Sequence, residues 1–179
     1  TSCGKAVDRM EIRIDSPAPF NQVGEILTKG MNVMDGYYNN PEASNAVLSP
    51  DGWLHTGDLG ILDPDGYLYI KGRSKSLILG PSGQNIYPEE IEDLLNAQPY
   101  IAESLVIERE GKLVALVYPD SEAMKQHKIS RDTLLKIIHE TRKQINQQIP
   151  AYSQIARIEI HDEEFEKTPK RSIKRFLYQ

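Results

Sequence analysis

The chain has 179 residues, 39% of them hydrophobic, and a formal net charge of −5. That is apolar material for one ordinary domain or two small ones; it excludes wholesale disorder, and the acidic balance argues against a dedicated nucleic-acid binder. A single cysteine, Cys3, excludes a disulfide framework and makes a reducing compartment the default, and no apolar run approaches the ~18 residues that span a bilayer.

The opening TSCGKAVDRMEIRI has no signal-peptide stretch and no initiator Met. It enters directly on a strand pattern, as expected of a segment of a longer protein. Residues 9–14 alternate polar and apolar, which predicts a half-buried strand. SPAP breaks it, and GEILTKG (24–30) predicts a second strand. YNNPEASNAVL reads as a turn and a short helix begun near Pro41. GWLHTGDLGILDPDGYLYIKG is β-rich, and its Asp65-Gly66 pair predicts a tight hairpin turn.

After Lys75 the pattern changes. SLIL predicts a short strand and GPSGQN a glycine-bearing loop. YPEEIEDLLNAQP predicts a helix with Pro88 near its start, Glu89 and Glu90 in its first turn, and Ile91, Leu94 and Leu95 on one face. AESLVIE and KLVALVYP predict two strands joined around Gly111. SRDTLLKIIHETRKQINQQIP predicts an amphipathic helix with Ser130 at its N-cap and a stripe of Leu134, Ile138, Thr141 and Ile145. IARIEI predicts a last strand, and SIKRFLY a short closing helix. The expected fold class is α+β: a β-rich stretch 1–72, a boundary at GRSKS, and a compact α+β unit 76–179.

Charge is uneven. From Glu166 to Gln179 five cations (Lys167, Lys170, Arg171, Lys174, Arg175) face one Glu, so the tail carries +4 and the rest stands at −9. Such a tail suits an anion, whether a substrate phosphate, a membrane surface or an RNA; a solvated helix end is the plainer reading.

Asp58 stands in a Thr-Gly-Asp turn. A carboxylate can accept from both hydroxyls of a cis-diol such as a ribose, and the glycine lets backbone approach a ligand. Arg73 could bind the same diol or a phosphate, or pair with Asp58, since the Asp65-Gly66 turn would bring both onto adjacent strands. On spacing alone, turn chemistry and a cross-strand salt bridge stand open beside the binding reading. LGPSGQNIYPEE offers backbone N–H groups to an anion but fits neither GxxxxGK[ST] nor GxGxxG. The four histidines have no metal-ligand spacing, and there is no GxSxG elbow.

Three stretches, GEILTKGMNVMDGYYNNPEAS, DGWLHTGDLGILDPDGYLYIKGRSKSLI and GQNIYPEEIE, resemble the adenylate-forming superfamily of acyl-CoA synthetases, luciferases and peptide-synthetase adenylation domains, in order and over nearly the whole chain. The closing FEKTPKRSIKRFLY is most similar to long-chain fatty acid–CoA ligases. The resemblance implies a two-step reaction using a carboxylic acid, ATP with Mg2+, and coenzyme A. It implies that Asp58 binds the ribose hydroxyls with Arg73 assisting, and that residues 73–75 form a hinge centred on Lys75. This hinge would separate the β-rich end of a large N-terminal domain (1–72) from a mobile C-terminal domain (76–179). The loop around Gly83 would face the pantetheine of CoA.

A lysine in a Gly-Lys pattern serves adenylation in that family, and Ser172 stands in its place here. Lys174 is the first candidate to replace it and Lys170 the rival, each two residues away. The family's phosphate loop and acyl pocket lie upstream of these residues, so the fragment alone is expected to be inactive. The implied setting is cytoplasmic, with peripheral membrane contact and no nucleic-acid partner. The alternatives are a superfamily member activating an aryl or amino acid or serving a carrier protein, and a non-catalytic module whose basic tail docks on membrane or RNA.

Overall fold

A computed structural model describes residues 2–179. The architecture is mixed α+β, and the chain divides into two compact units, one running to Lys75 and one from Ser76 to Gln179.

The first unit is an antiparallel meander of β1 (Met10–Asp15), β2 (Gly24–Gly30), β3 (Leu54–Leu62) and β4 (Leu68–Arg73), with α1 (Pro41–Val47) between the second and third strands. Alternation along β1 buries Ile14, which sits opposite Ile26 of β2. With Leu68 these form a three-residue core, flanked by Ile12 and Leu62. The neighbouring strands lie so close at Gly60 that a Cβ there would meet Ile26 Cδ1 and the Tyr69 carbonyl oxygen at 2.8 Å. Helix α1 starts where Asn40 Oδ1 accepts from the Ala43 N–H at 3.0 Å, with Pro41 in its first turn.

The second unit opens with a small hairpin, β5 (Ile78–Leu79) and β6 (Asn85–Ile86), followed by α2 (Pro88–Asn96). A three-stranded sheet follows, built from β7 (Ile101–Arg109), β8 (Lys112–Pro119) and β9 (Ile155–Ile160). β7 and β8 are antiparallel, while β9 runs parallel to β8 after a crossover through α3 (Ser121–Gln126) and α4 (Arg131–Asn146). Parallel neighbours need such a crossover.

This sheet is buried on both faces, which explains why its strands read as continuous apolar runs. Val106, Leu113, Ala115 and Val117 join Ile91 and Leu95 of α2 and Leu134, Ile138 and Ile145 of α4 in one core. Leu105, Ile107, Val114 and Leu116 turn the other way and are covered by Phe165, Ile173 and Tyr178 of the C-terminal tail. The Phe165 ring stacks on His161 at 4.9 Å, and Tyr178 meets both edge-on.

The tail also covers the free edge of β7. Glu92 of α2 accepts from the Val106 N–H at 2.6 Å, and Arg175 donates to the Val106 carbonyl at 3.2 Å while pairing with the Glu92 carboxylate. Edge backbone groups are thus satisfied by side chains. Burial raises the Glu92 pKa, and the Arg175 charge beside it partly offsets that rise.

Four loops share one design: Ser49–Trp53, Asp63–Tyr67, Gly80–Gln84 and Thr168–Ser172. In each, the first N–H donates to the fifth carbonyl at 2.8–3.0 Å and the fourth N–H to the first carbonyl at 2.8–2.9 Å. Proline is second, where its fixed φ suits a type I turn, and the fourth residue is left-handed. That fourth residue is Gly52 (φ +86°), Gly66 (+83°) and Gly83 (+79°), but Arg171 (+62°) in the last.

Three elements differ from the sequence reading. GPSGQN is the turn of a second hairpin, so Asn85–Ile86 is a strand. Helix α3 was not expected; Asp120 caps it, its carboxylate accepting from the Glu122 and Ala123 N–H groups. SIKRFLY is not a single helix. Its first residues return along a hairpin, with Ile173 bridged to Lys167, and only Arg175–Leu177 form a 3-10 turn.

Candidate functional site

β2 and β3 lose register where Thr56, Gly57 and Asp58 together face only Ile26. This bulge makes the Thr-Gly-Asp sequence a protrusion of the strand, and Gly57 takes φ +73° to permit it. Glu25 holds the bulge in place: Oε1 accepts from the Gly57 N–H at 2.9 Å, and Oε2 lies 2.8 Å from His55 Nδ1. The Thr56 hydroxyl donates to the Ile26 carbonyl at 2.7 Å and accepts from the Asp58 N–H at 3.1 Å. The hairpin through Gly66 then sets Arg73 directly across from Asp58. Arg73 Nη1 lies 2.8 Å from Asp58 Oδ1 and donates to the Thr56 carbonyl at 3.1 Å.

Both side chains of this pair reach solvent, so a diol can approach the carboxylate and compete for the guanidinium. Glu25 escaped the sequence reading because nothing local marks a strand residue that braces a bulge two strands' length away in the chain. His55, one of the four histidines without metal-ligand spacing, is the other half of that brace.

Lys75 is exposed in a 3-10 turn, Ser74–Ser76, immediately after β4. Gly83 sits at the tip of the β5–β6 hairpin with nothing within 4 Å of where a Cβ would stand. Glycine is needed there for its backbone conformation, not for space. A hollow of about 590 Å³ adjoins this hairpin, lined in part by Pro81, Gln84, Lys112 and Tyr152. Among the described residues, the buried Gln84 Oε1 in its wall has no hydrogen-bond partner.

The tail candidates separate. Lys174 pairs with Glu166 at 3.0 Å on the returning strand, whereas Lys170 is exposed at the hairpin tip. Alternation relates Ser172 to Lys174, but between Lys170 and Ser172 the chain turns through left-handed Arg171, so alternation does not put Lys170 on the same face. Among the described residues, no group of three or more His, Cys, Asp or Glu could hold a metal ion.

Residues 75–178, more than half of the chain, match the family described as AMP-binding enzyme C-terminal domain. Among curated proteins, the chain is 44% identical over 124 residues to the indoleacetate–CoA ligase of Aromatoleum aromaticum, a match covering 65% of this chain and 24% of that protein. It is 47% identical over 95 residues to the sulfoacetate–CoA ligase of Cupriavidus necator, covering 53% and 18%. Among solved structures it is similar to the O-succinylbenzoate coenzyme A synthetase of Bacillus subtilis in complex with AMP. The TM-score is 0.76 at 30% identity, over 99% of this chain and 35% of that one. The chain therefore spans about a quarter or less of the two curated relatives and about a third of the solved structure.

Proposed function

The chain belongs to the family of AMP-binding enzyme C-terminal domains, and from that premise we propose that it is the C-terminal part of an ATP-dependent acid–CoA ligase. A carboxylate oxygen attacks the α-phosphorus of ATP, and pyrophosphate leaves. The CoA thiol, losing its proton, attacks the acyl carbon of the adenylate, and AMP leaves. The observation that carries the reading is the solvent-open Asp58–Arg73 pair on its bulge. Asp58 accepts hydrogen bonds from the two ribose hydroxyls, and Arg73 shifts from the carboxylate to the ligand.

Lys75 is the pivot about which the second unit turns between the two steps, and Gly83 lets backbone pass close to the pantetheine thread. A tail lysine, Lys174 or Lys170, offsets charge at the reacting phosphate in the place Ser172 leaves open. Mg2+ would enter as the counter-ion of the ATP phosphates, since the described residues hold no group of three or more His, Cys, Asp or Glu to bind it by themselves.

Long-chain fatty acids are the proposed acids, on the likeness of FEKTPKRSIKRFLY. The competing acids are those in the relatives' names: indoleacetate, sulfoacetate and succinylbenzoate. The parent would work in the cytoplasm, with any membrane contact made peripherally through the tail.

The test is ATP–pyrophosphate exchange by the full-length parent across a panel of these acids, followed by thioester formation with CoA. No exchange with any of them defeats the reading, and robust exchange by residues 1–179 alone defeats the assignment of the missing steps to upstream residues. Lys75→Pro, which fixes φ, is expected to impair one half-reaction far more than the other; equal loss in both removes the pivot.

A further inference from the structure

The bulge that carries Asp58 is fastened from both of the strands beside β3. On the β2 side, Glu25 Oε1 accepts from the Gly57 N–H at 2.9 Å, while Oε2 lies 2.8 Å from His55 Nδ1. On the β4 side, a single nitrogen of Arg73 does two things: Nη1 lies 2.8 Å from Asp58 Oδ1 and donates to the Thr56 carbonyl at 3.1 Å. A bulge takes its residues out of the ladder, so these side-chain bonds stand where interstrand backbone bonds would otherwise be.

A ligand acts on the two fastenings unequally. A ribose that draws Nη1 away from Asp58 draws the same nitrogen away from the Thr56 carbonyl, so the β4 side lets go twice at the moment of binding. The β2 side has no such conflict. Glu25 bonds to the backbone N–H of Gly57 and leaves the Asp58 carboxylate free, and its side chain is 26% exposed against 61% for Arg73. His55, on the second carboxylate oxygen, keeps the first aimed at Gly57. The Thr56 hydroxyl secures the start of the bulge on the Ile26 carbonyl, but the glycine at φ +73° is the chain's loosest residue type, and Glu25 is what holds it.

Resting on the reading of Asp58 as the ribose carboxylate, we infer that Glu25, backed by His55, is a positioning residue for nucleotide binding: it keeps the Thr-Gly-Asp bulge in place when the ribose takes Arg73. In the free protein the two fastenings substitute for one another. In the complex Glu25 carries the middle of the bulge, so its loss weakens the bound state more than the free one.

Both halves can be measured in the full-length parent. Without nucleotide, hydrogen exchange at the Asp58 amide is read in Glu25→Ala, Arg73→Ala and the double variant. Each single change should lower protection by about threefold or less, and the double change by about 30-fold or more, beyond the product of the singles. Simple multiplication of the two singles overturns the proposal. With nucleotide, Glu25→Ala should raise the KM for ATP by about tenfold and lower kcat by less than about threefold. Glu25→Gln, which keeps an acceptor for the Gly57 N–H, should restore KM to within about twofold, and His55→Ala should fall between the two.

The diol decides whether Glu25 positions or merely stabilises. As competitors of ATP, adenosine should bind Glu25→Ala about tenfold more weakly than the parent, whereas 2′,3′-dideoxyadenosine should change by less than about twofold. Equal losses for the two nucleosides, or a Glu25→Gln variant no better than Glu25→Ala, overturn the proposal. So does protection lost along Met10–Asp15 as much as at the bulge, which makes Glu25 a stabiliser of the whole sheet. If Asp58→Ala leaves the preference for adenosine over its dideoxy form intact, the ribose reading fails, while the exchange measurements still decide the fastening.

Discussion

Two arginine–carboxylate pairs, one in each unit, use the same chemistry to opposite ends. Arg73 and Asp58 sit 2.8 Å apart with 61% and 35% of their side chains exposed; Arg175 and Glu92 keep only 19% and 11% exposed. An exposed pair contributes about 0–1 kcal/mol, so either partner can leave for a ligand at small cost. A buried pair cannot be opened without stranding a charge, and here the loss of Arg175 would strand the Val106 carbonyl as well. On the proposed function the first pair exchanges partners, while the second holds the tail down. What surrounds a salt bridge, more than its length, decides whether it is a site or a fastening.

The largest effect that would test this contrast is Arg175→Ala. It should cost unit two about 2–3 kcal/mol, read by urea unfolding and by faster hydrogen exchange at the β7 amides. Asp58→Ala should move stability by less than about 1 kcal/mol, yet lower the parent's apparent affinity for ATP by about tenfold or more, near 1.4 kcal/mol. Equal stability losses in the two variants would erase the distinction. Arg171→Gly should instead stabilise unit two by about 0.5–1 kcal/mol in urea unfolding, because glycine takes its positive φ without steric cost.

The smallest effect is in pH dependence. Glu92 is raised above its ordinary 4.5, mainly by burial, so it holds its proton more tightly folded than unfolded. Its contribution to stability is fullest below the ordinary carboxylate range and declines as pH rises toward the raised value. Glu92→Gln should remove that downward slope. Asp162 is lowered by its hydrogen bond from Arg131, so its contribution is present above 3.8 and lost as pH falls through the lowered value. Asp162→Asn should flatten the opposite limb, and slopes of the same sign in both variants would contradict the assignment.

Much of the architecture is legible in periodicity. The stripe Leu134, Ile138, Thr141 and Ile145 is the buried face of α4, and Ser130 caps that helix through the Thr133 N–H. The strands 101–109 and 112–119 follow from their apolar runs, and the adjacency of Asp58 and Arg73 follows from one turn signal at Asp65-Gly66. The sequence also held a signal that local reading overlooked: Pro second and Gly fourth, written as SPDGW, DPDGY and GPSGQ, then TPKRS with arginine in the glycine's place. The remainder depends on partners far apart in the chain. Glu25 braces a bulge some thirty residues on, and Glu92 meets Arg175 across 83 positions. No local pattern encodes those meetings. For the same reason the tail's +4 overstates what it offers a ligand, since three of its cations are neutralised within the fold.

The cover over the rim of β7 also bears on how this polypeptide behaves if it is cut short. A chain ending before Arg175 keeps β7 intact but leaves the Val106 carbonyl open to solvent, beside a Glu92 charge with no counterpart. Open strand rims recruit other strands. Loss of fewer than ten C-terminal residues would therefore turn a monodisperse preparation into a self-associating one, detectable by light scattering before any change in helix content.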